Sequence, residues 1–163
     1  MNFKDKAIVK ALIIEQIERD HELLFKAAKT AHEVATDKNN IPDNKYDTLS
    51  LEASYIAQGQ ANRSQQIRQD LEVYQKLALQ IFDESTPIGL TALIMLEAGN
   101  GEQKRVFIGP CAGGLKLYHD SYEIVVITPA SPLGMALTGK TAGDAVKVQT
   151  GHSFKEFEVM DLC

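Results

Sequence analysis

Apolar positions in the first part of the chain recur at helical spacing. Ala7, Ile14, Ile17, His21, Leu24, Ala28, Ala31 and Ala35 follow one another at intervals of three, four and seven residues. That is the stripe of an amphipathic helix, close to a coiled-coil seam. Lys6, Lys10, Glu15, Glu18, Arg19, Glu22, Lys26 and Lys29 fall on the other face and suit water. The segment Asp37–Asp47 is rich in Asn and Asp and contains Pro42, so it predicts a turn that stops the helix. A second helix resumes near Asp47 or Thr48, either of which can cap it. Its stripe is Leu49, Ala53, Ile56, Gln60, Ile67, Leu71, Tyr74, Leu77 and Ile81. Each stripe alone would leave an apolar face in water, so the two predict an antiparallel hairpin that buries both. A helix of roughly 30 residues is about 45 Å long, which makes this half a rod with a polar turn at its far end.

The pattern then changes. Leu90–Glu97 and Lys104–Gly109 are short apolar or alternating runs, and Ala98-Gly-Asn-Gly101 between them is a hairpin signal. Glu123–Thr128 is β-branched and continuous, as in a central strand. Pro132–Gly139 has the Leu133, Ala136, Leu137 spacing of a short helix that ends at a glycine. Val146–Thr150 and Phe154–Met160 read as two further strands with a Gly-His turn between them. The expected fold is α+β: a helical hairpin followed by a small, mostly antiparallel sheet with one short helix.

Composition supports the same division. Residues 1–84 contain one proline and one glycine, whereas the remainder holds four prolines and ten glycines. The change falls at Asp83–Gly89, a short linker, and predicts domains 1–84 and 85–163. Charge does not divide the chain: the first part has 11 basic and 14 acidic residues, the second 6 and 8. A net charge of -5 argues against a protein that coats duplex nucleic acid. The longest apolar runs, Ala11–Ile14 and Leu90–Leu96, are far short of a membrane span, and the N-terminus lacks the order of a signal peptide. Two cysteines, Cys111 and Cys163, make neither a disulfide framework nor a four-ligand zinc set. The expectation is a cytoplasmic protein.

Three groups of residues invite a chemical reading. Gly134-Met-Ala-Leu-Thr-Gly139-Lys140-Thr141 satisfies the phosphate-loop pattern letter for letter. Its context does not fit: Pro129 and Pro132 separate it from the preceding strand, Ala142-Gly-Asp breaks the following helix, and too little chain remains for a parallel nucleotide-binding sheet. His21, His32, His119 and His152 show no metal-ligand spacing, and no metal or cofactor is expected. A Cys111 pairing with His119 or His152 has no local support, and Gly109–Leu115 reads as a plain loop. Asp43, Asp47 and Glu52 stand near the tip of the rod, with Asp37 just before it. Exposed carboxylates can share a divalent cation when another molecule supplies further ligands, but by itself the composition favours a solvated loop with an acidic N-cap.

Two stretches resemble the GreA/GreB transcription elongation factors. Ser131-Pro-Leu-Gly-Met-Ala-Leu-Thr-Gly-Lys-Thr-Ala-Gly-Asp-Ala-Val146 is similar to that family's Ser-Pro-[Leu/Ile]-x-x-Ala-Leu-x-Gly-Lys-x-x-Gly-Asp-x-Val signature, and Asp47–Tyr55 resembles its tip motif. Gly151 and Phe154–Asp161 resemble the family's closing strands. The likeness runs over essentially the whole chain, helical hairpin first and β-rich domain second. It implies an FKBP-like C-terminal domain that docks on bacterial RNA polymerase beside the secondary channel, through Ser131, Pro132, Leu133 and Lys140. It also implies a hairpin that passes down the channel and offers tip acids to the magnesium of the polymerase, so that the polymerase itself hydrolyses backtracked RNA. The factor is then a monomer and no enzyme, and meets nucleic acid only within the elongation complex.

The chain departs from the family at the tip. Aligned on Leu49, Ala53 and Tyr55, the family's two acids fall on Thr48 and Leu51, with Asp47 and Glu52 each one step away. Either the longer turn re-aims Asp47 and Glu52, with Asp43, or the protein occupies the channel without stimulating cleavage. A one-residue step on a helix turns a side chain by about 100°, which favours the second. A competing reading is a peptidyl-prolyl isomerase or chaperone with an FKBP-like domain. That reading needs an aromatic-lined proline pocket built from Phe107, Tyr118, Tyr122, Phe154 and Phe157.

Overall fold

The computed structural model of the protein describes residues 3–36, 48–151 and 153–163. In chain order it contains α1 (Phe3–Thr36), α2 (Thr48–Lys76), β1 (Leu93–Ala98), β2 (Gln103–Ile108), β3 (Lys116–His119), β4 (Tyr122–Ile127), α3 (Pro132–Leu137), β5 (Ala145–Thr150) and β6 (Ser153–Leu162). Two compact units form: Ile14–Glu72, and Met1–Ile13 together with Val73–Cys163.

In the unit Ile14–Glu72 the expected stripe is present where side chains are described. Ile17 and Ile67 are buried, and His21, Leu24, Ala28, Gln60 and Leu71 are half-buried. His21 Nε2 and Ser64 Oγ lie 3.4 Å apart although 43 residues separate them, as antiparallel helices require. Ile56 departs from the expected stripe, being 62% exposed.

The other unit corrects the reading of both helix bases. Ala7, expected on the stripe, is exposed, whereas Lys6, assigned to the water face, is 0% exposed. Val9 and Ile13 are buried with it. α2 ends at Lys76 and does not continue to Ile81, which is 80% exposed. The cause is tertiary. Lys6 Nζ donates to the Gln80 carbonyl and sits 4.6 Å from the centre of the Phe82 ring, while Lys10 Nζ donates to the Leu77 carbonyl at 2.8 Å. Gln80 N–H donates to Thr91 Oγ1 at 3.0 Å. The Leu77 carbonyl and the Gln80 N–H are groups that a helix running to Ile81 would have bonded internally. Burial holds the Lys6 ammonium below its ordinary pKa, against a smaller upward pull from Cys163. Thr91 itself is buried with φ +71°, a costly conformation for a β-branched residue. It is fixed by its N–H bond to the Ile108 carbonyl at 2.8 Å.

Six strands form one sheet in the order β3-β4-β2-β1-β6-β5. All neighbours are antiparallel except β2 and β4, which run parallel. The mostly antiparallel sheet and its short helix are as the pattern predicts, and β4 is flanked on both sides. β3, with its four residues, was not anticipated. One face of the sheet carries the main core, in which Ile94, Leu96, Val106, Ile108, Val146 and Val159 pack with Leu137 of α3. On the opposite face Leu93, Phe107, Ile124 and Val126 are also buried. At Gly109 the fold needs the missing side chain. A Cβ there would stand 2.1 Å from the Tyr74 hydroxyl, which donates to the Cys111 carbonyl at 2.9 Å.

Candidate functional site

α3 is built by its first residues. Ser131, with extended backbone, is the N-cap: its Oγ accepts from the Gly134 N–H at 3.1 Å and donates to the Thr128 carbonyl at 2.8 Å. Pro132 occupies the first turn, where a missing N–H costs nothing. Gly134 is required because a Cβ would meet the Thr128 carbonyl oxygen at 2.0 Å. Thr138 closes the helix, its N–H and hydroxyl both donating to the Gly134 carbonyl at 3.0 and 2.7 Å. Gly139 follows with φ +81°. Its N–H donates to the Ile88 carbonyl, and the Ile88 N–H donates to the Lys140 carbonyl at 2.7 Å. The residues behind the phosphate-loop pattern are thus spent on a capped six-residue helix. Gly134–Leu137 lie inside the helix, not in a loop ahead of one, and Lys140 comes after it.

Of the proposed docking residues, Ser131, Pro132 and Leu133 stand together at the start of α3, with Lys140 exposed beyond its other end. Pro132 is exposed, while Leu133 is half-buried against the main core. Met135, 62% exposed and three residues after Pro132, shares its outer face and was not singled out from the sequence. The i, i+3 spacing was the available signal. Downstream, Asp144 Oδ2 accepts from the Thr141 N–H at 2.9 Å and from its hydroxyl at 3.2 Å. These bonds, the backbone one first, hold the Asp144 carboxyl below the usual carboxylate range.

Leu133 also borders a cleft of about 370 Å³, with Asn100, Lys104, Val148, Lys155 and Phe157 among its walls. One aromatic residue and several charges are not the aromatic cage a proline ring requires. Phe107 is buried in the sheet, and Tyr118 and Phe154 are about 70% exposed. The five aromatic residues do not converge, so the isomerase reading is not favoured.

Asp37, Asp43 and Asp47 lie outside the described residues, as does His152. Thr48 opens α2, and Leu51 and Glu52 belong to its first turns. His119 Nε2 lies 3.5 Å from Asp120 Oδ2. Cys163 is buried, and burial raises its thiol pKa. Among the described residues no group of three or more His, Cys, Asp or Glu side chains is placed to hold a metal ion. No helix among them is long and apolar enough to cross a membrane.

No protein-family model matches the chain. It is 26% identical over 131 residues to the transcription elongation factor GreA of Syntrophus aciditrophicus, covering 80% of this chain and 75% of that protein. Among solved structures, Gfh1 of Thermus aquaticus is 24% identical, with 91% of this chain and 92% of that one covered and a TM-score of 0.40. The GreA factor homolog 1 of Thermus thermophilus is 21% identical, with 92% and 94% covered and a TM-score of 0.40. In sequence, the chain is Gre-like.

Proposed function

We propose that this protein is a Gre-like regulator of bacterial transcription elongation that binds RNA polymerase as a monomer in the cytoplasm. The observation that carries the reading is the match to a transcription elongation factor over 131 residues, a length that draws on both the helical and the sheet-forming halves of the chain. In this reading residues 85–163 dock on the polymerase through Ser131, Pro132, Leu133 and Lys140, and residues 1–84 enter the secondary channel. Met135 joins the docking face through its place beside Pro132.

Thr48 and Leu51 stand where the family carries its tip acids, and both belong to α2. Neither side chain supplies a carboxylate, so the protein occupies the channel without stimulating transcript cleavage. The test is a backtracked elongation complex assembled with purified cognate polymerase. The protein co-purifies with the complex and the RNA keeps its length. Shortened RNA with the wild type, lost in Asp43→Ala, Asp47→Ala or Glu52→Ala, would reverse the non-cleaving assignment. Failure to co-purify would remove the polymerase reading altogether.

A further inference from the structure

We propose that the sheet face around Arg105 and Tyr122 is a receptor for a single carboxylate on a segment of a protein partner, independently of the polymerase reading. Arg105 is the only arginine beyond Arg68. It lies on β2 opposite Met95 of β1 and Ile124 of β4, so Met95, Arg105 and Tyr122 share one face of the sheet. Arg105 is half-buried, and its guanidinium carbon stands 3.6 Å from the centre of the Tyr122 ring. Stacking fixes the plane of the fork and removes much of its rotamer freedom before any ligand arrives.

Among the described residues the fork meets no oxygen acceptor. Its Nη2 reaches the Met95 sulfur at 3.8 Å, a weak acceptor, and Arg105 forms no ion pair among the described residues. Glu97 is on the same face, but its carboxylate accepts from the Gln103 amide at 3.1 Å. A guanidinium braced on a ring, with donors that no described oxygen takes, matches a carboxylate or phosphate in two-pronged geometry. The neighbours decide between these. Glu97, its cross-strand partner Glu158, and Asp161 opposite Met95 all lie on this face. A nucleic-acid strand brings a phosphate at every residue and would be repelled by that row. A peptide brings one carboxylate, can set apolar side chains on Tyr122 and Met95, and can turn basic ones toward the acids. Tyr122 is 51% exposed, leaving room for such packing.

The experiment follows the Arg105 Nε–H and Tyr122 ring resonances of the full chain by NMR. The probes are acetyl-Lys-Leu-Glu-Leu-Lys-amide, the same peptide with Gln for Glu, and a twelve-nucleotide oligothymidylate. The Glu peptide shifts both resonances saturably and binds about tenfold tighter than the Gln peptide. Arg105→Lys keeps the charge and loses the fork, bringing the two peptides to within about twofold. Tyr122→Leu removes the stacking platform and also reduces the preference, with the remaining sheet amide resonances unmoved as a check on folding. Equal binding of the two peptides to the wild type, no shift with either, or a full preference kept by Arg105→Lys would overturn the proposal. So would oligothymidylate moving these resonances while the Glu peptide does not.

Discussion

The two compact units use the hydrophobic effect to very different extents. In the sheet unit Ile94, Leu96, Val106, Phe107, Ile108 and Val126 are all 0% exposed, so each contributes roughly 1.5–3 kcal/mol through burial. In Ile14–Glu72 the buried apolar side chains among the described residues are Ile17 and Ile67, at 5% and 7% exposure. Leu23, Phe25, Tyr55 and Ile56 in that unit are each more than 60% exposed. A pair of helices has one contact seam, whereas a sheet has two faces to cover. Among the described residues the helical unit therefore rests on a narrow seam and the sheet unit on a packed interior.

The sharpest way to break that contrast is to remove a side chain from each. Phe107→Ala should destabilise the sheet unit by about 3–5 kcal/mol and Ile67→Ala the helical unit by about 2 kcal/mol. Hydrogen exchange read separately over the two units checks this, and equal losses would end the comparison. Glycine substitutions should differ in sign. Gly134→Ala forces a methyl group toward the Thr128 carbonyl and should cost about 2–3 kcal/mol. Gly59→Ala meets nothing within 4 Å and should stabilise by about 0.5–1 kcal/mol. Denaturation midpoints of the two variants should move in opposite directions. The smallest effect is a titration. The Asp144 carboxyl has a lower pKa folded than unfolded, so its contribution is complete above the ordinary carboxylate value and fades as pH falls through the lowered one. Asp144→Asn should lower the melting temperature at pH 7, and the gap to wild type should close on acidification.

Much of this fold is legible in local patterns. The seam at Ile17, His21, Leu24 and Ala28, the hairpin turn at Ala98–Gly101 and the Pro-started α3 all follow from spacing and turn chemistry. What escaped depends on distant partners. Leu77 and Ile81 fit a helical period, but Lys10 and Thr91 take backbone groups just beyond Lys76, where the helix ends. Lys116–His119 is too short to show alternation between a glycine-rich loop and a tight turn. The residues proposed for docking stand out because a family signature spells them. The Arg105–Tyr122 stack was not, because it exists only through the parallel pairing of β2 with β4.

The seat that Gly109 leaves for Tyr74 makes those two positions a single choice written in two places. Any side chain at 109 evicts the phenol, and any residue at 74 that falls short of the Cys111 carbonyl leaves a hole. Drift at either codon alone is therefore penalised, and the end of α2 and the loop after β2 can change only in concert.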